Sequence, residues 1–262
     1  MRFPSFRPAL LIALALAVPL AGCATGRGKK GAESNRYIAR DVDTLYNLAK
    51  EELDSHNYKF AAGLFDEVER QHPYSIWARR AQLMSAFSHY LAHDYPESIE
   101  AAQRFMSIHP GNKDAPYALY LIAIDYYEQI ADVYRDQKIT QEALDAMGEL
   151  IRRYPDSAYA ADARLKVDLI EDHLAGKEME IGRFYQRRHD WTASVIRFRK
   201  VVDTYETTSH TPEALMRLTE SYLELGVLDE ARKSAAVLGA NYPGTEWYAR
   251  AYALIRKNAP AS

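Results

Sequence analysis

Apolar positions along the 262-residue chain fall into two regimes. Ala9 to Val18 is an unbroken run of Ala, Leu, Ile and Val, whereas from Asp41 onward the apolar residues recur every three or four positions almost to the end. No stretch alternates with period two, so the pattern predicts an all-α body. Breaks in the helical pattern recur at Pro73, Pro110, Pro155, the Glu206 to His210 turn and Pro243. Before each break lies a small residue with apolar residues four and seven positions later. These triplets are Ala61, Phe65, Val68; Ser98, Ala102, Phe105; Ala143, Met147, Leu150; Ser194, Phe198, Val201; and Ala231, Ala235, Leu238.

The first helix of each unit adds matching positions, clearest as Leu45, Leu48, Ala49, as Ile181, Gly182, Tyr185 and as Leu215, Leu218, Thr219, Tyr222. Such self-similarity is the tetratricopeptide pattern. A small residue at the helix crossing lets paired backbones approach, and the larger residues that follow fill the groove between hairpins. The expected architecture is a superhelical solenoid of about five helical hairpins. Its units span about 42–73, 76–110, 115–155, 158–206 and 211–243, with a C-terminal helix at 245–257. Ser75 and Asp114 read as helix starts, with Pro116 in the first turn after Asp114. Thr211 reads as the start of the fifth unit, with Pro212 at the first helical position. The breaks are 37, 45, 51 and 37 residues apart, against about 34 for an ideal repeat. The two long spacings predict longer helices or a loop: in the third unit a loop over Ile130 to Thr140, and in the fourth a long helix from Ala158 to His173 leading into Lys177 to Arg188.

The N-terminal run has a different meaning. Arg2 and Arg7 precede it, and ten apolar residues suit a signal-peptide core, whereas a membrane-spanning helix needs about twenty. Pro19 ends the run, and Leu20-Ala21-Gly22-Cys23 follows, containing the chain's single cysteine. Small residues ahead of Cys23 predict cleavage after residue 22 and lipidation of Cys23, against an ordinary secretory site or a core cysteine as the competing reading. Residues 23–38 then form a basic, Gly-containing tether, and 39–258 the repeat domain. Ala24 stands where inner-membrane lipoproteins usually carry Asp, which by resemblance implies export to the periplasmic face of the outer membrane. Without the leader and the tether, residues 39–262 carry a formal charge of −8. An acidic body argues against nucleic acid as a partner.

No catalytic constellation emerges from the motifs, and no cofactor is implied. His89 and His93, four apart with Asp94 adjacent, are the best metal candidates by spacing. They lack a third ligand, so no metal site is assigned. More informative are the 19 tyrosines and three tryptophans. In the repeat frame Tyr46, Lys50, Arg80, Leu83, Phe87 and Tyr90 face one concave groove, to which the inter-unit turn adds Tyr74 and Trp77. Aromatic bodies with polar tips plus two cations suit an extended peptide carrying a terminal or acidic carboxylate; packing between repeats is the competing reading. A second cluster, Arg183, Arg187, Arg188, Arg197, Arg199 and Lys200, stands out in the fourth unit. It reads as a solvated face or as an interface with an acidic surface. Arg197 is expected to be exposed, because Val195 and Phe198 define the packed face of its helix.

Several segments carry a closer likeness. His72-Pro73-Tyr74-Ser75 with Trp77, Tyr134-Arg135-Asp136-Gln137, Asp172 to Met179, and Trp247-Tyr248 after Pro243, taken with the leader and the five repeats, resemble the BamD family of outer-membrane protein assembly lipoproteins. The resemblance implies a non-enzymatic periplasmic lipoprotein, attached to the membrane only through its lipid anchor. Its implied partners are the periplasmic domains of BamA, other Bam lipoproteins and unfolded outer-membrane β-barrel proteins. By position, the family's substrate pocket falls on the aromatic groove and its BamA contact on Arg183, Arg187, Arg188 and Arg197. The chain departs from the family in lacking a proline after Tyr205. The alternative is a tetratricopeptide lipoprotein serving a pilus, secretion or cell-wall complex.

Overall fold

The computed structural model describes residues 40–258. The leader, Cys23 and the tether lie outside the described residues. Eleven helices and no strands occur among those described: α1 Val42–Asp54, α2 Tyr58–Gln71, α3 Ile76–Leu91, α4 Tyr95–Ile108, α5 Ala115–Glu128, α6 Lys138–Arg153, α7 Ala158–Arg187, α8 Trp191–Thr204, α9 Thr211–Glu224, α10 Leu228–Asn241 and α11 Glu246–Asn258. Each helix packs on the next in sequence, and α11 lies against both α9 and α10. This is a solenoid of tetratricopeptide-like hairpins.

Two kinds of turn, repeated along the chain, build it. Within the hairpins, His56, His93, His189 and Gly226 take positive φ values of 66°, 56°, 60° and 76°. The amide after each reaches back to a carbonyl five residues earlier, as Asn57 does to Glu52 and Asp94 to His89, both at 2.9 Å. That bond closes the helix with a left-handed residue, a place usually held by glycine but open to histidine. Between hairpins, His72, His109, Tyr154, Tyr205 and Tyr242 end their helices with φ between −123° and −136°. Proline follows four of them and disfavours helix at the residue before it. Tyr205 adopts the same geometry without one (φ −123°, ψ 41°), so the missing proline does not alter the turn.

All the small-large-large positions but one are buried; Ala235 is half-buried. The closest approach lies where α7 crosses α8. A Cβ on Gly182 would sit 2.8 Å from Phe198 Cδ1 and Cζ, and closer still to Cε1, so only glycine lets that ring reach the α7 backbone. Helix α7 runs unbroken for 30 residues. The residues from 129 to 137 form the loop between α5 and α6. Ser75 caps α3, its hydroxyl accepting from the Ala78 amide at 3.0 Å. Asp114 precedes α5 without a side-chain capping bond. At the fifth hairpin the expected boundary is one residue late. His210 occupies the cap and Thr211 is the first helical residue, because the Thr211 hydroxyl donates backwards to the Tyr205 carbonyl (3.1 Å) rather than capping forwards.

Candidate functional site

Two clefts flank the start of α3. The larger, about 700 Å³, is lined by Tyr46, Ile76, Arg79, Arg80, Leu83, Met84, Asn112, Lys113 and Asp114. Its wall is an aromatic stack in which Tyr46 lies 4.5 Å from Trp77 and 5.5 Å from Phe65, with the Arg80 guanidinium 5.5 Å over the indole. Burial pushes the Tyr46 phenol above its usual range, against the opposing pull of Arg80. Arg79, Arg80 and Lys113 are exposed, and none forms an ion pair among the described residues. The smaller cleft, about 400 Å³, is lined by Glu69, Pro73, Tyr74, Ser75, Ile76, Ala78, Arg79, Gln82, Ile108 and His109. Tyr74 is fully exposed there and Ile76 is 70% exposed. Gln82, almost wholly buried, donates to Glu69 Oε1 at 2.6 Å and leaves its own Oε1 without a partner.

The expected single groove is therefore two clefts that share Ile76 and Arg79. Tyr46, Arg80 and Leu83 line one, Tyr74 the other, and Trp77 is half-buried behind them. Lys50 is exposed but lines neither. Phe87 and Tyr90 belong to a ladder of half-buried rings that continues along the first helices: Phe87 to Tyr90 and to Tyr117 (6.4 Å each), Tyr117 to Tyr159 (5.3 Å) and Tyr159 to Tyr120 (5.2 Å). The Tyr120 hydroxyl donates to Asp162 at 2.8 Å. Sequence reasoning missed Ile76, Arg79 and Lys113. The available signal was an isoleucine directly after a capping serine, where a first helical turn is normally polar.

The arginine cluster divides. Arg183 makes a two-pronged bond to Glu213 (3.0 and 2.6 Å) and reaches Glu180 (2.6 Å). Burial opposes Glu213's charge, yet the Arg183 and Arg217 guanidiniums hold its carboxyl below the usual range. Contrary to expectation, Arg197 is not free. Its side chain is 37% exposed and bonds Glu178 at 3.0 Å, while Lys200 takes the other Glu178 oxygen at 2.6 Å. The cause is a buried carboxylate on α7, a contact invisible to the periodicity of α8 alone. Arg187 and Arg188 do face solvent, with Arg188 5.4 Å over the ring of Phe184, itself 47% exposed.

The segment Asp172 to Met179 organises the neighbouring loops. Asp172 Oδ1 accepts from the Ser209 amide (3.0 Å) and hydroxyl (2.7 Å). Gly176 leaves room for His210 and Val133, and Lys177 donates to the Arg135 carbonyl at 3.3 Å. The loop so held presents Tyr134, 72% exposed. The histidine pair does not form on one helix face. α3 ends at Leu91, His93 turns left-handed, and its Nδ1 lies 2.8 Å from the Tyr95 hydroxyl. His89 Nδ1 is 3.9 Å from Asp94.

Fold and clefts together define a helical-repeat protein. A family model described as "YfiO: Outer membrane lipoprotein" matches residues 39–238. The chain is 50% identical over 253 residues to the outer membrane protein assembly factor BamD of Caulobacter vibrioides, covering 96% of this chain and 82% of that one. It is 44% identical to the BamD of Rickettsia prowazekii (93% and 94% covered) and 32% identical to that of Neisseria meningitidis (93% and 94%). The chain belongs to the BamD family of outer membrane protein assembly factors. Among solved structures it is similar to the TPR2AB domain of yeast Sti1, with TM-score 0.43 and 11% identity over 83% of this chain and 82% of that one. Among the described residues no helix is long and apolar enough to cross a membrane.

Proposed function

We propose that this protein is a non-enzymatic, lipid-anchored component of the outer-membrane β-barrel assembly machinery, held at the periplasmic face by acyl chains on Cys23. It receives extended segments of unfolded outer-membrane proteins in the two clefts at α3. The observation that carries this reading is the pairing, at one rim, of three unpaired cations, Arg79, Arg80 and Lys113, with the bare apolar side chains of Tyr74 and Ile76. An extended strand ending in an aromatic residue and a free carboxylate complements both. Exposed arginines contribute little to folding, since surface ion pairs are worth at most about 1 kcal/mol. Arg79→Glu with Arg80→Glu should therefore weaken binding of C-terminal barrel peptides by about tenfold or more, with the melting temperature unchanged. Fluorescence anisotropy at low salt reads this. Equal binding by the double variant would remove the clefts from the account.

The partner surface rests on the free half of the arginine cluster. Phe184, Arg187 and Arg188 offer an aromatic anchor and two cations that form no ion pair among the described residues, composition typical of binding hot spots. It fits an acidic patch on BamA's periplasmic domains. Arg187→Glu with Arg188→Glu should weaken that association, most at low salt. Arg197→Glu, by contrast, should lower stability, because it sets a second carboxylate beside the buried Glu178. If Arg187→Glu with Arg188→Glu binds the purified BamA domains as wild type does, the docking surface lies elsewhere.

A further inference from the structure

At the centre of the second and third hairpins α5 carries a carboxylate with nothing to pair with. Asp125 is 0% exposed, and both its oxygens lack a hydrogen-bond partner. Around it in sequence Leu121, Ile122, Ala123 and Ile124 are all buried. The Ser98 hydroxyl, the neighbour able to favour the charged form, donates instead to the Ala86 carbonyl at 2.9 Å. The ionisable groups that feel Asp125 are phenols: Tyr90 from α3, Tyr95 from α4, and Tyr117 and Tyr126 from α5 itself. From α6, Glu142 faces Tyr126. From α7, Asp162 and Lys166 pair with each other beside Tyr120 and Tyr127. None of these is a cation placed to neutralise a carboxylate at Asp125.

Elsewhere the same solenoid pairs a buried and a half-buried acid with cations. Glu178 holds Arg197 and Lys200, and Glu213 holds Arg183 and Arg217. We propose that Asp125 is a pH-sensitive element of the seam between the second and third hairpins. As the neutral acid it is tolerated in the core and the seam stays closed; ionisation loosens α3, α4 and α5 and disturbs the Tyr90 and Tyr117 part of the ring ladder. Burying a charged carboxylate with no partner is strongly unfavourable, so the group neutralises or the packing gives way.

Burial pushes the Asp125 carboxyl up to about 7. Because that lies above its unfolded value of about 3.9, the folded state holds the extra proton between those limits. The stability this contributes is complete below about pH 4 and falls as pH rises towards and through 7. For these values the unfolding constant increases roughly 30-fold between pH 5.5 and 8.5, a fall of about 5 °C in melting temperature for a domain of this size.

The test is calorimetry of the full-length protein across that range beside Asp125→Asn, with hydrogen exchange read by mass spectrometry as the ratio of wild type to variant at each pH. The expected result is a melting temperature that declines with pH in wild type and a shallower course in Asp125→Asn. The exchange ratio should rise above pH 7 in α3 to α5 but stay level in α9 to α11. If Asp125→Asn does not accumulate, Asp125→Leu serves, since it also removes the titration. Parallel pH profiles for wild type and variant would overturn the proposal, as would an exchange ratio that rises uniformly along the chain.

Discussion

Gly182→Leu should lower the melting temperature by up to about 10 °C or keep the protein from accumulating. The first added carbon already clashes with the edge of the Phe198 ring, which is fully buried on the facing helix. Overpacking a closed core costs about 1–3 kcal/mol. Each kcal/mol shifts the melting temperature by about 2–4 °C at this chain length. Gly182→Ala is the milder case, since alanine regains about 1 kcal/mol of helix propensity against the same clash. A cycle isolates the cause. Phe198→Ala alone should cost about 3–5 kcal/mol, but in that background Gly182→Ala should become neutral or stabilising. Additive losses would show that the glycine serves something other than the approach of the ring.

Cys23→Ala should leave a folded protein that is either released from the membrane or kept as the unprocessed precursor, with helicity and melting temperature near those of wild type. Each acyl CH₂ buried in the bilayer contributes about 0.8 kcal/mol, so a single chain holds reversibly and two or more anchor stably. Among the described residues no helix is long and apolar enough to cross a membrane. Membrane fractionation of the processed chain measures it. A correctly processed Cys23→Ala protein that remains fully membrane-bound would contradict the lipid-anchor account.

The parts of the fold legible from sequence were those governed by period. The triplet around Phe65 and its counterparts at Phe105, Met147, Phe198 and Leu238 recur because each helix must bury the same stripe against the next hairpin, and burial leaves a regular trace. Turn chemistry was less legible. Histidine is not the residue expected at a left-handed helix end, yet His56, His93 and His189 all hold one, each followed by Asn or Asp and then an aromatic. That tripeptide was the available signal, and it also accounts for the failure of His93 to pair with His89.

Polar contacts across helices left no trace in the periodicity. Arg197 looked exposed because its own helix turns it away from the core, whereas its partner Glu178 comes from α7. Asp125 was equally hidden, since an acid within Ile-Ala-Ile-Asp-Tyr-Tyr satisfies helical spacing whether it meets a cation or nothing. The groove was drawn as one surface, whereas its residues divide between two clefts and a ring ladder. Its division into two clefts depends on how far Ile76 and Arg79 project, and spacing alone does not encode projection.

The central claim, that the clefts at α3 receive unfolded outer-membrane proteins, is tested most directly by site-specific photo-crosslinking of the full-length protein to an unfolded β-barrel substrate. The crosslinker is placed in turn at Ile76, between the clefts, and at Val237, an exposed apolar position on α10. The account predicts a strong substrate adduct from Ile76, suppressed by excess C-terminal barrel peptide, and little from Val237. Equal adducts from both positions, or an Ile76 adduct indifferent to the peptide, would contradict it.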